Sequence, residues 1–166
     1  MLKAIKAKKF WAGDARFAIV ASQYNALYVD SMLEAAKAEL EGAGAKGVRV
    51  VRVPGAYEIP VVAARLARAA SAHESRITHH GSRLSAIICL GLILRGETVH
   101  AAHIGEAVSR ALMEIQILYE VPVIHEVLLL ENEGQAQARC LDPKRNRGRE
   151  AAQTALAMAQ VMSGLV

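Results

Sequence analysis

The sequence predicts an α/β protein with a parallel sheet of four strands. Three observations carry this. Four short runs are rich in Val, Ile and Leu; the stretches between them place apolar residues at helical spacing; and Gly, Pro or polar clusters stand at the joins. Strands alternating with helices of this length are βαβ units, which makes the sheet parallel and its crossovers right-handed.

The elements follow in order. Phe17 to Ala21 reads as a first buried strand. Val29, Met32, Leu33, Ala36 and Leu40 mark a helix that Gly42 and Gly44 end. Val48 to Val53 is a second strand, stopped by Pro54-Gly55. Ile59 to Ala72 is an Ala-rich helix with Pro60 in its first turn, where the missing N–H costs little. His73 to Arg83 is a polar loop, and Leu84 to Leu94 a third strand buried on both faces. Ile104, Val108, Ala111, Ile115 and Leu118 mark the next helix, and Val121 to Leu130 carries the fourth strand. A short helix over Glu131 to Cys140, a basic turn over Asp142 to Gly148 and a last helix over Glu150 to Met162 complete the chain.

Composition narrows the function classes. A chain of 166 residues, 53% apolar and 22% charged, is globular with one core. It divides into a basic N-terminal extension, 1–15, and one α/β domain, 16–166. No apolar run reaches the ~18 residues of a membrane span, and Met1 to Lys9 has no signal-peptide core, so a cytoplasmic protein without a membrane partner is expected. The net charge of +4 fits anionic small molecules; with only 4% aromatics and no basic stripe interleaved with them, nucleic acid is not expected. Cys89 and Cys140 lack metal or redox spacing and read as free core thiols. Apolar residues on elements that look buried on more than one face point to an oligomer.

In a parallel sheet, ligands sit outside the carboxyl ends of the strands, and polar and aromatic residues cluster there. Arg95-Gly96-Glu97-Thr98-Val99-His100 follows the third strand. Its helix-start N–H groups and the Thr98 hydroxyl can form an anion site, and a neutral His100 in that turn can accept a proton. On spacing alone, His100 reads rather as a surface histidine or helix cap, because Arg-Gly-Glu-Thr is common loop chemistry. In Pro54-Gly55-Ala56-Tyr57-Glu58, Gly55 admits a close ligand and Glu58 can accept from hydroxyls or amines, but by itself a plain turn with Glu58 at the helix N-terminus explains the segment. Tyr24 can stack on a flat heterocycle, while Asn25 can hold a ligand, cap the first helix, or both. Arg139 on a helix can grip phosphate; Lys144, Arg145, Arg147 and Arg149 read mostly as a solvated basic face. His73, His79 and His80 lack companion ligands, so no metal site is expected.

These segments, taken together, resemble those of the 6,7-dimethyl-8-ribityllumazine synthase family. Val53-Pro54-Gly55-Ala56-Tyr57-Glu58-Ile59-Pro60 is similar to its VPGAxEIP segment, and Leu90 to His100 to its LGxVIRGxTxH segment. Ser22-Gln23-Tyr24-Asn25 resembles its aromatic-Asn turn. Pro122-Val123-Ile124, Glu131-Asn132-Glu133, Gln135-Ala136 and Arg139 resemble its PVxFGVLT-xEN-xEQAxxRA segment, and Asn146-Arg147-Gly148 its NKG turn. Five such segments in order, from about Arg16 to Met162, are specific where any one is weak. The resemblance implies a three-layer flavodoxin-like fold and a cofactor-free transferase of riboflavin biosynthesis. That enzyme condenses 5-amino-6-(D-ribitylamino)uracil with 3,4-dihydroxy-2-butanone 4-phosphate at sites shared between subunits of a homopentamer. It implies proton transfer by His100, stacking by Tyr24, and a hold on ring and ribityl chain by Asn25, Ala56, Tyr57 and Glu58. Glu97 and Thr98 would bind phosphate together with Arg139 of an adjacent subunit.

The chain departs from the family pattern at several points. Ala101 and Ala102, followed by His103, replace the aromatic and acid after the histidine. His125-Glu126 replaces a Phe-Gly whose Phe walls the heterocycle slot, so His125 becomes the substrate-facing residue of a more polar slot. Leu129-Leu130 replaces a Thr pair, and the 73–83 loop is longer than usual. These changes raise the alternative of a non-catalytic ligand-binding or shell-forming paralogue on the same fold. A further alternative, the archaeal type of riboflavin synthase, fits the VPGAYEIP and RGETVH segments less well. The absence of an insertion between Arg139 and Asn146 points beyond the pentamer to a capsid of 60 subunits.

Overall fold

The structure is a computed structural model that describes residues 11–72 and 84–165. Most of the expected basic extension, and the 73–83 loop with its three histidines, lie outside the described residues. The elements run β1 (Arg16–Ser22), α1 (Ala26–Gly42), β2 (Gly47–Val53), a 3-10 turn (Ala56–Glu58), α2 (Ile59–Ala72), β3 (Ala86–Leu94), α3 (His100–Tyr119), β4 (Val123–Leu130), α4 (Glu133–Ala136), a π turn (Gln137–Leu141) and α5 (Arg147–Ser163). All strand pairings are parallel, in the order β2-β1-β3-β4. The fold is the three-layer, flavodoxin-like α/β architecture expected from the sequence.

Two cores sandwich the sheet. Phe17, Ile19, Ile88 and Leu90 face α1 and α5, while Ala18, Val20, Ile87 and Cys89 face α2 and α3. The central strands are therefore apolar from Phe17 to Ala21 in β1 and from Ala86 to Leu94 in β3, because both of their faces are covered. Each large side chain so buried contributes about 1.5–3 kcal/mol. The edge strand β2 has no such cover, and Arg49 and Val50 are exposed on it.

Several expected boundaries move. The third strand starts at Ala86 and the fourth at Val123, after Pro122, which has no N–H to give a sheet ladder. The expected helix over Glu131 to Cys140 divides into α4 and the π turn. The last helix starts at Arg147 rather than Glu150, because Asn146 caps it by accepting from Gly148 N and Arg149 N. On α3 the buried stripe is Ala101, Val108, Leu112 and Ile115. Leu118, expected on that stripe, is 71% exposed. An apolar periodicity marks a helix, but the strip of it that meets the sheet is set by how the helix is rolled.

α1 and α5 cross closely at Gly148. A Cβ there would overlap the Met32 backbone, so only glycine fits. Ahead of β1, Trp11 lies against Gly44, and Ala12 is buried and donates its N–H to Ala43 O at 2.8 Å.

Candidate active site at the carboxyl ends of the strands

The chain reverses direction across the sheet between β1 and β3, since β2 lies on one side of β1 and β3 on the other. In parallel sheets, ligands bind outside the strands' carboxyl ends at such a point. Backbone contacts tie the turns around it together. Gln23 N donates to Val53 O at 2.8 Å and Tyr24 N to Pro54 O at 3.1 Å, joining the ends of β1 and β2. Arg95 N donates to Leu130 O at 2.8 Å, and the Arg95 guanidinium pairs with Glu131 at 2.9 Å, joining the ends of β3 and β4.

Asn25 links β1 to β3. Its backbone is left-handed (φ 57, ψ 42), a conformation Asn adopts more readily than most residues. It occupies the N-cap position of α1, yet its side chain caps nothing; Nδ2 instead donates to Leu92 O at 2.7 Å. The expected side-chain cap is thus replaced by a bridge across the switch point. The left-handed turn aims the amide away from the helix N-terminus.

The Tyr24 ring lies over Gly55. A Cβ on Gly55 would stand 3.0 Å from Tyr24 Cδ2 and 2.9 Å from Glu58 Oε2. Glu58 accepts from Gly55 N at 2.9 Å, so the helix-start role read from the turn is present. Ala56 is buried beneath, while Tyr24 and Tyr57 are 71% and 64% exposed. Exposed aromatic rings of this kind can stack on another flat group.

His100 is the first residue of α3 and is exposed, as are Glu97 and Thr98. The α3 N-terminus has no side-chain cap; the Thr98 hydroxyl accepts only a long 3.4 Å contact from His100 N. Free first-turn N–H groups beside a hydroxyl suit an anion. Tyr24, Asn25, Ala56, Tyr57, Glu58, Glu97, Thr98 and His100 therefore all lie along the carboxyl edge of β1, β2 and β3.

The model of the 6,7-dimethyl-8-ribityllumazine synthase family matches residues 14–163. The chain belongs to the 6,7-dimethyl-8-ribityllumazine synthase family. A 6,7-dimethyl-8-ribityllumazine synthase from Stenotrophomonas maltophilia (strain R551-3) is 39% identical to it over 153 residues, 91% of each chain. One from Xanthomonas campestris pv. campestris (strain B100) is 37% identical over 150 residues, 89% of this chain and 90% of that protein. This lumazine synthase family member is a transferase that serves riboflavin biosynthesis, and the non-catalytic alternative is not favoured. Among the described residues no helix is long and apolar enough to cross a membrane.

Two expected site residues of the family member stand apart from this edge. His125 is the third residue of β4, pairs with Cys89 in register, and lies five residues before Leu130. At about 3.3 Å per residue it is roughly 16 Å short of the carboxyl end. Arg139 is exposed on the π turn. Among the described residues no hydrogen bond joins either of them to Tyr24, Asn25, Glu58 or His100. The π turn itself is pinned firmly: Ser31 Oγ donates to Cys140 O at 2.7 Å, and the buried Asn146 side chain donates to the same carbonyl.

Arg147 departs from the expected solvated basic face. Its Nε and Nη2 meet the two oxygens of Glu126 at 3.1 and 2.9 Å, and it also pairs with Glu150. Glu126 is buried at 7% exposure; burial pushes its carboxyl above the usual range, and Arg147 opposes that shift. For Arg147, burial alone would lower the guanidinium, but Glu126 and Glu150 outweigh it and hold the charge. Sequence reading noted Glu126 only as a departure from the family pattern; its partner 21 residues away left no local signal.

Proposed function

We propose that the chain condenses 5-amino-6-(D-ribitylamino)uracil with 3,4-dihydroxy-2-butanone 4-phosphate to form 6,7-dimethyl-8-ribityllumazine. The amine adds to the ketone, phosphate leaves, the ring closes and water is lost. The observation that carries this reading is the uncapped α3 N-terminus with His100 on the same sheet edge as the exposed Tyr24 ring. A flat slot, a proton acceptor and an anion-binding helix start are what this reaction asks of a protein.

In this reading Tyr24 stacks on the pyrimidine, and Asn25, Ala56, Tyr57 and Glu58 hold the ring and ribityl chain. Glu97, Thr98 and the α3 N-terminus take the phosphate, and His100 moves the proton. His125 and Arg139 complete the site of a neighbouring copy: the first walls the slot and the second grips the phosphate. Their separation from the edge in a single chain supports an assembly, a homopentamer or twelve pentamers, working in the cytoplasm.

The test mixes purified protein with both substrates and follows lumazine absorbance. The wild type is expected to form product, and His100→Ala to lose about 100-fold or more in kcat, the usual scale of proton-transfer catalysis. Unchanged turnover in His100→Ala would remove His100 from the reaction, and a wild type that binds the pyrimidine without forming product would sink the activity. Native mass measurement separates the pentamer from the larger shell.

A further inference from the structure

His125 has a proton arrangement that its hydrogen bonds determine uniquely. Val127 N donates to its Nδ1 at 3.2 Å, so Nδ1 carries a lone pair and no proton. Nε2 lies 2.8 Å from Ser109 Oγ, and that hydroxyl is 2.7 Å from Gly105 O, an acceptor only. Were Ser109 to donate to Nε2, the imidazole would carry no proton on either nitrogen and would have to be an anion. The neutral solution is one chain of donors: Nε2–H to Ser109 Oγ, and the Ser109 proton to the Gly105 carbonyl. Adding a proton at Nδ1 would set it against the Val127 N–H.

The surroundings agree. Burial of the ring nitrogens against α3 lowers the basicity of His125. β4 is an edge strand, and by accepting from Val127 the ring occupies a backbone donor that would otherwise face outward. The residue nonetheless stays exposed in the single chain. With both nitrogens engaged, what remains to meet a neighbour is the flat face of the ring.

We propose that Ser109 is a positioning residue that, by accepting from Nε2–H, holds the ring plane of His125 in the neutral form that the Val127 N–H dictates, so that His125 offers a stacking face to the pyrimidine-type substrate rather than a base or a charge. This rests on the reading above that His125 walls the heterocycle slot. It makes His125 a functional equivalent of an aromatic wall and assigns Ser109 a part in substrate affinity.

The experiment has two arms on the assembled protein. The first is solid-state NMR of histidine labelled with 15N, with His125 assigned by difference from His125→Gln. The wild type is expected to show an unprotonated Nδ1 and a protonated, hydrogen-bonded Nε2; Ser109→Ala is expected to keep that tautomer but shift the Nε2 resonance as its hydrogen bond is lost, and Ser109→Thr, which keeps the hydroxyl, to show the wild-type pattern. A protonated Nδ1 in the wild type, or an Nε2 resonance unshifted in Ser109→Ala, overturns the positioning role whatever the enzyme does. The second arm is steady-state kinetics. Ser109→Ala and His125→Gln are expected to raise KM for the ribitylaminouracil about threefold to tenfold, the scale of one aromatic contact. KM for the phosphate ketone should stay unchanged, and His125→Phe, which keeps a flat ring, should raise the pyrimidine KM less than His125→Gln does. If the tautomer is as described but no variant moves the pyrimidine KM, the slot assignment of His125 fails and the proposal falls with it, while the His100 result stands separately.

Discussion

Glu126 and Arg147 show how much a single residue's neighbourhood decides. A carboxylate in the last two-thirds of a strand is ordinarily solvated; here it is buried and bound at both oxygens by one guanidinium. Burial wins over the attraction of Arg147, so the native carboxyl binds its proton more tightly than the unfolded one. Between the ordinary value of 4.5 and the higher native value, the folded state holds more protons, and stability must fall as pH rises through that window. Glu126→Gln removes this titration. Chemical denaturation from pH 4 upward is expected to show the wild type losing stability relative to Glu126→Gln as pH rises above about 4.5. A difference that is flat, or that grows in the opposite sense, would refute the assignment. Glu126 was visible in the sequence as an unusual residue, but the pairing was not, since it joins β4 to the first turn of α5.

At the scale of elements, the crossing of α1 and α5 is the most constrained contact. Gly148 sits against the Met32 backbone, which cannot move aside as a side-chain tip can. Gly148→Ala is therefore expected to destabilise by at least the ~1–3 kcal/mol of ordinary overpacking, read as a fall in Tm. Gly42→Ala, where an added Cβ meets nothing, is the comparison and should change stability by less than about 1 kcal/mol. Equal effects of the two would show that the helices separate at little cost. The elements themselves were legible from periodicity and punctuation, and the Asn146-Arg147-Gly148 turn was recognised as a motif. Its reason, a capping Asn that also pins the Arg139 turn and a Gly that admits a helix, needed the packing.

For the molecule as a whole, apolar side chains stand exposed on α3 and on both edge strands. Met113, Ile117 and Leu118 are exposed on α3, with Val50 on β2 and Leu129 on β4. The proposed assembly covers such surface, since apolar area left in water forfeits about 25 cal/mol per Å². Ile117→Asp is expected to lower the native mass toward that of a single chain while leaving the far-UV spectrum of the fold. An unchanged mass would place the subunit contacts elsewhere.

The order and approximate extent of strands and helices, the sheet direction and the edge carrying the candidate site were determined by the sequence alone, because each rests on local periodicity, turn chemistry or a contiguous motif. Tyr24, Ala56, Glu58 and His100 belong to that class, each lying in a segment that ends a strand. Only the tertiary structure decided what Asn25 bonds, what Arg147 neutralises, which strip of α3 is buried and which proton His125 carries. Those are properties of pairs far apart in the chain, and a hydrogen bond or ion pair exists only once folding has brought both of its partners within reach.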